Sequence, residues 1–120
     1  YVYMRSAGFS SNGAAGTIAA IETMSGFDPT QNSNGYGIGC WGTLDRASLM
    51  TWCNTQKYDD KDLDGQIRYL VHDMVSNASI ASVVRDDNIT AREAAQVVAI
   101  KYLNIKKIKS PTPETETATK

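Results

Sequence analysis

The chain is poor in the residues that hold metals or staple small domains. Two cysteines, Cys40 and Cys53, and one histidine, His72, occur among its 120 residues, too few for a zinc framework or a disulfide scaffold. If the two thiols paired, they would close a loop of about 14 residues and contribute roughly 3 kcal/mol by the chain-entropy model. Otherwise they read as two small buried hydrophobes, since cysteine is among the most buried residue types. Cys40 ends the middle loop and Cys53 the helix after it, so both are expected to point into one interhelical space. Long apolar runs are missing: the stretch Ala14 to Ile21 falls far below the roughly 20 residues a membrane span needs. An excess of one charge is missing too. Twelve Lys and Arg stand against thirteen Asp and Glu, a net charge of -1, which excludes the basic footprint of a dedicated nucleic-acid binder. No cofactor motif is present, so no cofactor is expected.

What remains is an ordinary globular composition, 42% hydrophobic and 21% charged, in a length that supports a single core. The chain opens Tyr1-Val2-Tyr3-Met4 without an initiator Met and so reads as a fragment or a processed product. Ser11-Asn12 precedes an Ala-rich stretch and is read as its cap, which predicts a helix from about Gly13 to Met24, ended by Ser25-Gly26. Its small residues suit close approach to another helix. Asp28 to Gly42 carries a Pro, four glycines and a run of Asn, Gln and Ser, predicting a loop or short hairpin. A helix from Leu44 to Cys53 would turn Leu49, Met50 and Cys53 to one face. Leu63, Ile67, Leu70, Val71 and Met74 recur at helical spacing behind the candidate caps Asp60 and Asp62. A helical turn is expected near Ile80 to Val84. Thr90-Ala91-Arg92-Glu93 has the form of a capping box and opens a last helix through about Leu103, with Ala94, Val97, Val98 and Tyr102 inward. These elements form one domain over residues 1–109, and Ser110 to Lys120, rich in Thr, Pro and Glu, reads as a disordered tail or linker.

The segment Glu22-Thr23-Met24-Ser25-Gly26-Phe27-Asp28-Pro29, followed by Gly35-Tyr36-Gly37-Ile38-Gly39-Cys40-Trp41, is the most informative. It resembles the phage tail lysozyme domain, a virion-associated branch of the goose-type lysozyme and lytic transglycosylase group. Members read as an Ala-rich helix ending in Glu-Ser-Gly-Phe-x-Pro, then a Gly-Tyr-Gly-Ile-Gly-Gln-Trp hairpin, then a helix. The resemblance runs from about Gly8 to Val75, with Asp62 to Leu70 as the next family helix, and Ala95 to Leu103 takes the place of the last core helix. It implies a mainly α, lysozyme-like domain with a small β-hairpin or loop flanking a cleft.

The departures fall where the resemblance places the chemistry. Cleaving a β-1,4 glycosidic bond needs a carboxylic acid that protonates the leaving oxygen. The resemblance puts that acid immediately before Ser25, where this chain has Met24, and a thioether can neither donate nor accept the proton. The family Gln before Trp is Cys40, and the helix residue usually Asn is Ala20. Glu22 lies about 200° around the helix from Met24; Asp28 follows in a loop and reads as a turn former. These two are the candidate substitute acids. Asp45, Asp59 and Asp60 read as caps and solvated loop charges. Cys40 with His72 would make a thiol and base, yet His72 falls on the polar side of its helix. Ser25, Tyr36, Cys40 and Trp41 are the candidate substrate-binding residues. Trp41, Trp52 and Tyr36 are candidates to stack on sugar rings, Tyr36 in a surface loop, with helix packing the other reading for the tryptophans. Lys101, Lys106, Lys107 and Lys109, interleaved with Ile100, Leu103, Ile105 and Ile108, read as helix-end charges that keep the segment soluble; a membrane-surface role is the other reading.

The resemblance therefore implies a phage virion component of the tail or tail tip. Its module would contact peptidoglycan at the bacterial envelope beside other tail proteins, and it would lack the family acid. The rival is a working muramidase or lytic transglycosylase using Glu22 or Asp28; a third reading is an interaction module sharing only the fold.

Overall fold

A computed structural model describes residues 1–109, and the tail expected over Ser110 to Lys120 lies outside the described residues. The elements run α1 (Val2–Ser6), α2 (Ser11–Ser25), α3 (Thr43–Gln56), α4 (Leu63–Val75), α5 (Ala78–Val84), α6 (Ala91–Val97), a π-helical turn (Val98–Leu103) and α7 (Asn104–Lys109). The mainly α architecture is as the sequence implies. Each helix starts from local chemistry. Ser10, rather than Ser11 or Asn12, caps α2: its Oγ accepts from the Gly13 N–H at 2.9 Å, while Asn12 donates to the Ile89 carbonyl instead. Gly26, at φ 63°, ends the helix in the left-handed conformation that glycine adopts without strain. The Thr90–Glu93 capping box forms in both directions at the start of α6.

α2 is the axis of the domain and packs most extensively along α6. The small residues of α2 make this possible: a Cβ on Gly16 would lie 2.5 Å from the Ala91 carbonyl oxygen and 2.6 Å from Ala94 Cβ. The buried positions that follow, Ala94, Val98, Tyr102 and Leu103, step by four residues and then crowd. The wider turn over Val98–Leu103 brings Tyr102 and Leu103 inward together, and Val97, expected in the core, is half-buried.

Two helix faces differ from expectation. On α3, Leu49 and Cys53 are buried but Met50 is 49% exposed, because one residue along a helix turns a side chain about 100° away from its neighbour. On α4 the inward stripe includes Gln66 and Tyr69, whereas Leu63 and Ile67 only border the core. Asp62 occupies the N-cap position of α4 without making a side-chain cap bond. Asp60 instead offers its carbonyl to Gln66 Nε2 at 2.9 Å. Between α2 and α3 the chain forms a loop whose hairpin is reduced to one antiparallel pair, Tyr36 with Trp41. Ile38 and Trp41 plug this loop into a core completed by Phe9, Ile21, Leu49, Leu70, Met74, Tyr102 and Leu103. Burying each of these large side chains contributes about 1.5–3 kcal/mol relative to exposure.

Candidate functional site

The glycine-rich loop is built onto the end of α2, and polar side chains hold it there. Asn34 Nδ2 donates to the Met24 carbonyl at 2.8 Å, and Cys40 Sγ approaches the same oxygen at 3.7 Å. The Ser25 hydroxyl lies 2.9 Å from both the Ile21 and the Ile38 carbonyls, so its single proton is engaged within the fold. Gln31 closes the loop from inside: Nε2 donates to the carbonyls of Asn34 and Gly37, while Oε1 accepts from the Ser33 and Asn34 N–H groups. Gln66 locks it from α4, accepting from Ile38 N–H at 3.0 Å and donating to the Pro29 carbonyl at 2.7 Å. Gly37, at φ 71°, lets that amide approach, since a Cβ there would meet Gln66 Oε1 at 2.6 Å. The motif thus brings Met24, Ser25 and Cys40 together at the end of α2, while Tyr36 pairs with Trp41, and the residues that assemble it, Gln31, Asn34 and Gln66, carried no periodic signal in the sequence.

The side chains at the motif face inward. Tyr36, expected at the surface, is 6% exposed, because its bridge to Trp41 turns the ring under α3, where the Arg46 guanidinium lies 3.7 Å above the ring centre. Trp41 is 1% exposed; its Nε1 donates to the Tyr102 hydroxyl at 3.1 Å, and its ring meets Tyr69 edge-on at 5.5 Å. Neither ring offers an open face for a sugar. Met24 is half-buried and packs against the core. Cys40 and Cys53 are both buried thiols, not a disulfide, so the expectation that they share one space is corrected: Cys40 reaches the end of α2, whereas Cys53 Sγ donates to the Gly65 carbonyl on α4 at 3.6 Å. Burial, with the charges of Asp60 and Asp59, pushes the Cys53 thiol up to about 11.

The carboxylates are placed elsewhere. Glu22 sits on the exposed face of α2. Asp28 is exposed and spent on a turn, its Oδ1 accepting from Thr30 N–H at 3.0 Å and from the Thr30 hydroxyl at 3.1 Å. Asp45, expected as a solvated charge, is instead part of a largely enclosed network. Lys106 Nζ lies 3.3 Å from Asp45 Oδ1 and 3.0 Å from Asp73 Oδ2, with side-chain exposures of 15%, 13% and 22% for the three residues. Tyr102 donates to the same Asp73 oxygen at 2.8 Å, which links the network through Trp41 to the glycine-rich loop. Burial works against the Lys106 charge, but the hydrogen bond and charge of Asp73, with Asp45, hold its pKa above the usual lysine value. Burial raises the Tyr102 phenol well above its ordinary range, with the Asp73 charge acting in the same direction. Both carboxylates are engaged within the fold, Asp45 with Lys106 and Asp73 with Lys106 and Tyr102. The reading of Lys106 as a solvated helix-end charge is corrected by the same contacts.

His72 does not join Cys40. It stacks on Trp52 at 5.2 Å and, with Ser48, Thr51, Tyr69 and Asp73, lines a groove of about 570 Å³ between α3 and α4 that Met24 and the loop motif do not border. Trp52 is only half-buried, as a helix-packing residue with one side on this groove. Among the described residues no three His, Cys, Asp or Glu side chains gather as metal ligands, and no helix is long and apolar enough to cross a membrane.

A helical domain whose second helix ends beneath a glycine-rich turn, with an aromatic core pinned to that turn, has the lysozyme-like architecture. Residues 1–119 match the family described as phage tail lysozyme, and the chain belongs to that family. No curated protein and no solved structure matches it.

Proposed function

We propose that this phage lysozyme-like module serves in the virion, at the tail or tail tip, as a part that contacts peptidoglycan at the bacterial envelope without cleaving it, beside other tail proteins. The family supplies the lysozyme-like theme. The observation that carries the inactive reading is the thioether of Met24 at the position where the family motif requires a carboxylic acid. Neither nearby candidate acid replaces it, since Glu22 faces solvent and Asp28 is tied into its turn with Thr30. A glycosidase acid also needs a partly apolar setting, and both of these carboxylates are exposed.

The test is zymography and dye release on purified peptidoglycan. The unaltered chain is expected to give no clearing at enzyme concentrations where an active lysozyme gives a strong signal. Clearing that disappears in Glu22→Gln or in Asp28→Asn would overturn the proposal in favour of a hydrolase with a relocated acid. Met24→Glu combined with Cys40→Gln restores the family pair at the end of α2 and is expected to bring a trace of activity.

A further inference from the structure

Among the described residues an arginine is laid on a tyrosine ring at two places, and at one of them it also meets a carboxylate. Arg68 lies over both Tyr3 and Tyr58, at 4.9 and 5.0 Å, and its Nε donates to Asp64 at 3.0 Å. Arg46 lies closer to its ring, 3.7 Å over Tyr36, and is likewise half-buried. Among the described residues, however, no carboxylate comes within ion-pair distance of it, and its guanidinium makes no hydrogen bond. Its sequence neighbour Asp45 is turned to Lys106. A guanidinium flattened on a ring keeps its N–H edge free of that ring, and the edge presents the fork that matches a planar anion. Holding the side chain against Tyr36 also removes most of its rotamer freedom before any ligand arrives, so less entropy is lost on binding.

Arg46 stands beside the family motif. Tyr36 is paired with Trp41, and the loop they close is fastened to the end of α2 through Asn34 and Ser25. We infer that Arg46 is an anion-recognition residue whose ligand group is a carboxylate. On the reading given under Proposed function, on which this inference rests, that group belongs to the peptide stems of peptidoglycan. The contact then runs through the acidic peptide portion of the wall rather than through stacking on sugar rings, whose platform Arg46 itself covers.

The experiment titrates the full 120-residue chain, followed by calorimetry, with soluble muropeptides freed of wall phosphate polymers, with the same muropeptides after carboxyl amidation, and with a neutral N-acetylglucosamine oligomer. Native muropeptides are expected to bind, more weakly as salt rises. Amidation of the ligand and Arg46→Gln in the protein are each expected to lower affinity about tenfold or more, the scale of losing charge-assisted hydrogen bonds, with Arg46→Lys intermediate because it keeps charge without the fork. If amidation and Arg46→Gln leave binding unchanged, the assignment to Arg46 fails while peptidoglycan contact stands. If the unaltered chain binds no muropeptide, the functional reading fails and this inference with it. Binding restored by adding wall phosphate polymers would move the ligand from carboxylate to phosphodiester and overturn the carboxylate assignment. Should Arg46→Gln not fold, Arg46→Lys takes its place: weaker binding of native but not of amidated muropeptides supports the assignment to Arg46, and unchanged binding of both overturns it.

Discussion

At the scale of single residues, the side chains that matter most are polar ones doing structural work. Gln66 is fully buried on α4 and serves three backbone groups on two loops: Ile38 N–H, the Pro29 carbonyl and the Asp60 carbonyl. A buried polar group is tolerated only when it is satisfied, and removing its partner leaves the remaining groups with their full desolvation penalty. Gln66→Leu, similar in volume, is therefore expected to cost about 2–4 kcal/mol in urea unfolding and to loosen the Tyr36–Trp41 turn. Gln66→Glu should do less harm to the acceptor half, since it keeps an oxygen for Ile38 N–H. A leucine variant within about 0.5 kcal/mol of the parent would show that the loop does not depend on this amide. The sequence made the departure at Met24 plain, because a motif of fixed order exposes a wrong residue at once. It hid Gln66, because a glutamine on an otherwise apolar stripe looks like an edge of the helix until its partners, 28 and 37 residues earlier, are in place.

At the scale of elements, helix existence and most helix cores were legible, since capping chemistry and 3.6-residue spacing are local. The Thr90 capping box, the Gly26 terminus and the Leu70, Val71 and Met74 part of the α4 stripe all follow from residues within one or two turns of each other. Facings were less legible. Met50 turned outward, because Leu49 and Cys53 take the inward face of α3, and the hairpin shrank to one pair. The clearest element-level consequence concerns α2 against α6. Gly16→Ala places a methyl against the Ala91 carbonyl at 2.5 Å and Ala94 Cβ at 2.6 Å, and backbone on a packed helix cannot yield as a flexible side chain can. Alanine's better helix propensity, about 1 kcal/mol over glycine, works in the opposite direction and is outweighed by overpacking. The expected net effect in thermal or urea unfolding is a loss of about 1–3 kcal/mol. Gly26→Ala, whose added Cβ meets nothing within 4 Å, should lose only the cost of a left-handed φ, about 1 kcal/mol. Equal effects at the two glycines would refute the packing argument.

At the scale of the whole molecule, the described chain is closed by one charged knot. Lys106, on α7, meets Asp45 from the first turn of α3 and Asp73 from α4, and Tyr102 relays the contact to Trp41 in the glycine-rich loop. Nothing local announced it, because its members are 61 and 33 positions apart and each resembles a routine surface charge. One cation serves two anions, and Asp45 Oδ2 is buried without a hydrogen-bond partner among the described residues, so the knot carries an excess of negative charge. The three positions are therefore not equivalent. Lys106→Met strands two enclosed carboxylates against each other and is expected to destabilise by about 3–5 kcal/mol, the cost of breaking a buried pair from one side. Asp45→Asn removes the surplus charge yet leaves an amide oxygen to accept from Lys106, and should cost under about 1 kcal/mol. Combining Asp45→Asn with Lys106→Met should then recover part of the loss, a coupling measurable as a double-mutant cycle in urea. Additive costs, or an Asp45→Asn variant as damaged as Lys106→Met, would mean that solvent already relieves the charges, and that α7 is held to the domain without them, through contacts such as the Gly42 N–H to the Lys106 carbonyl.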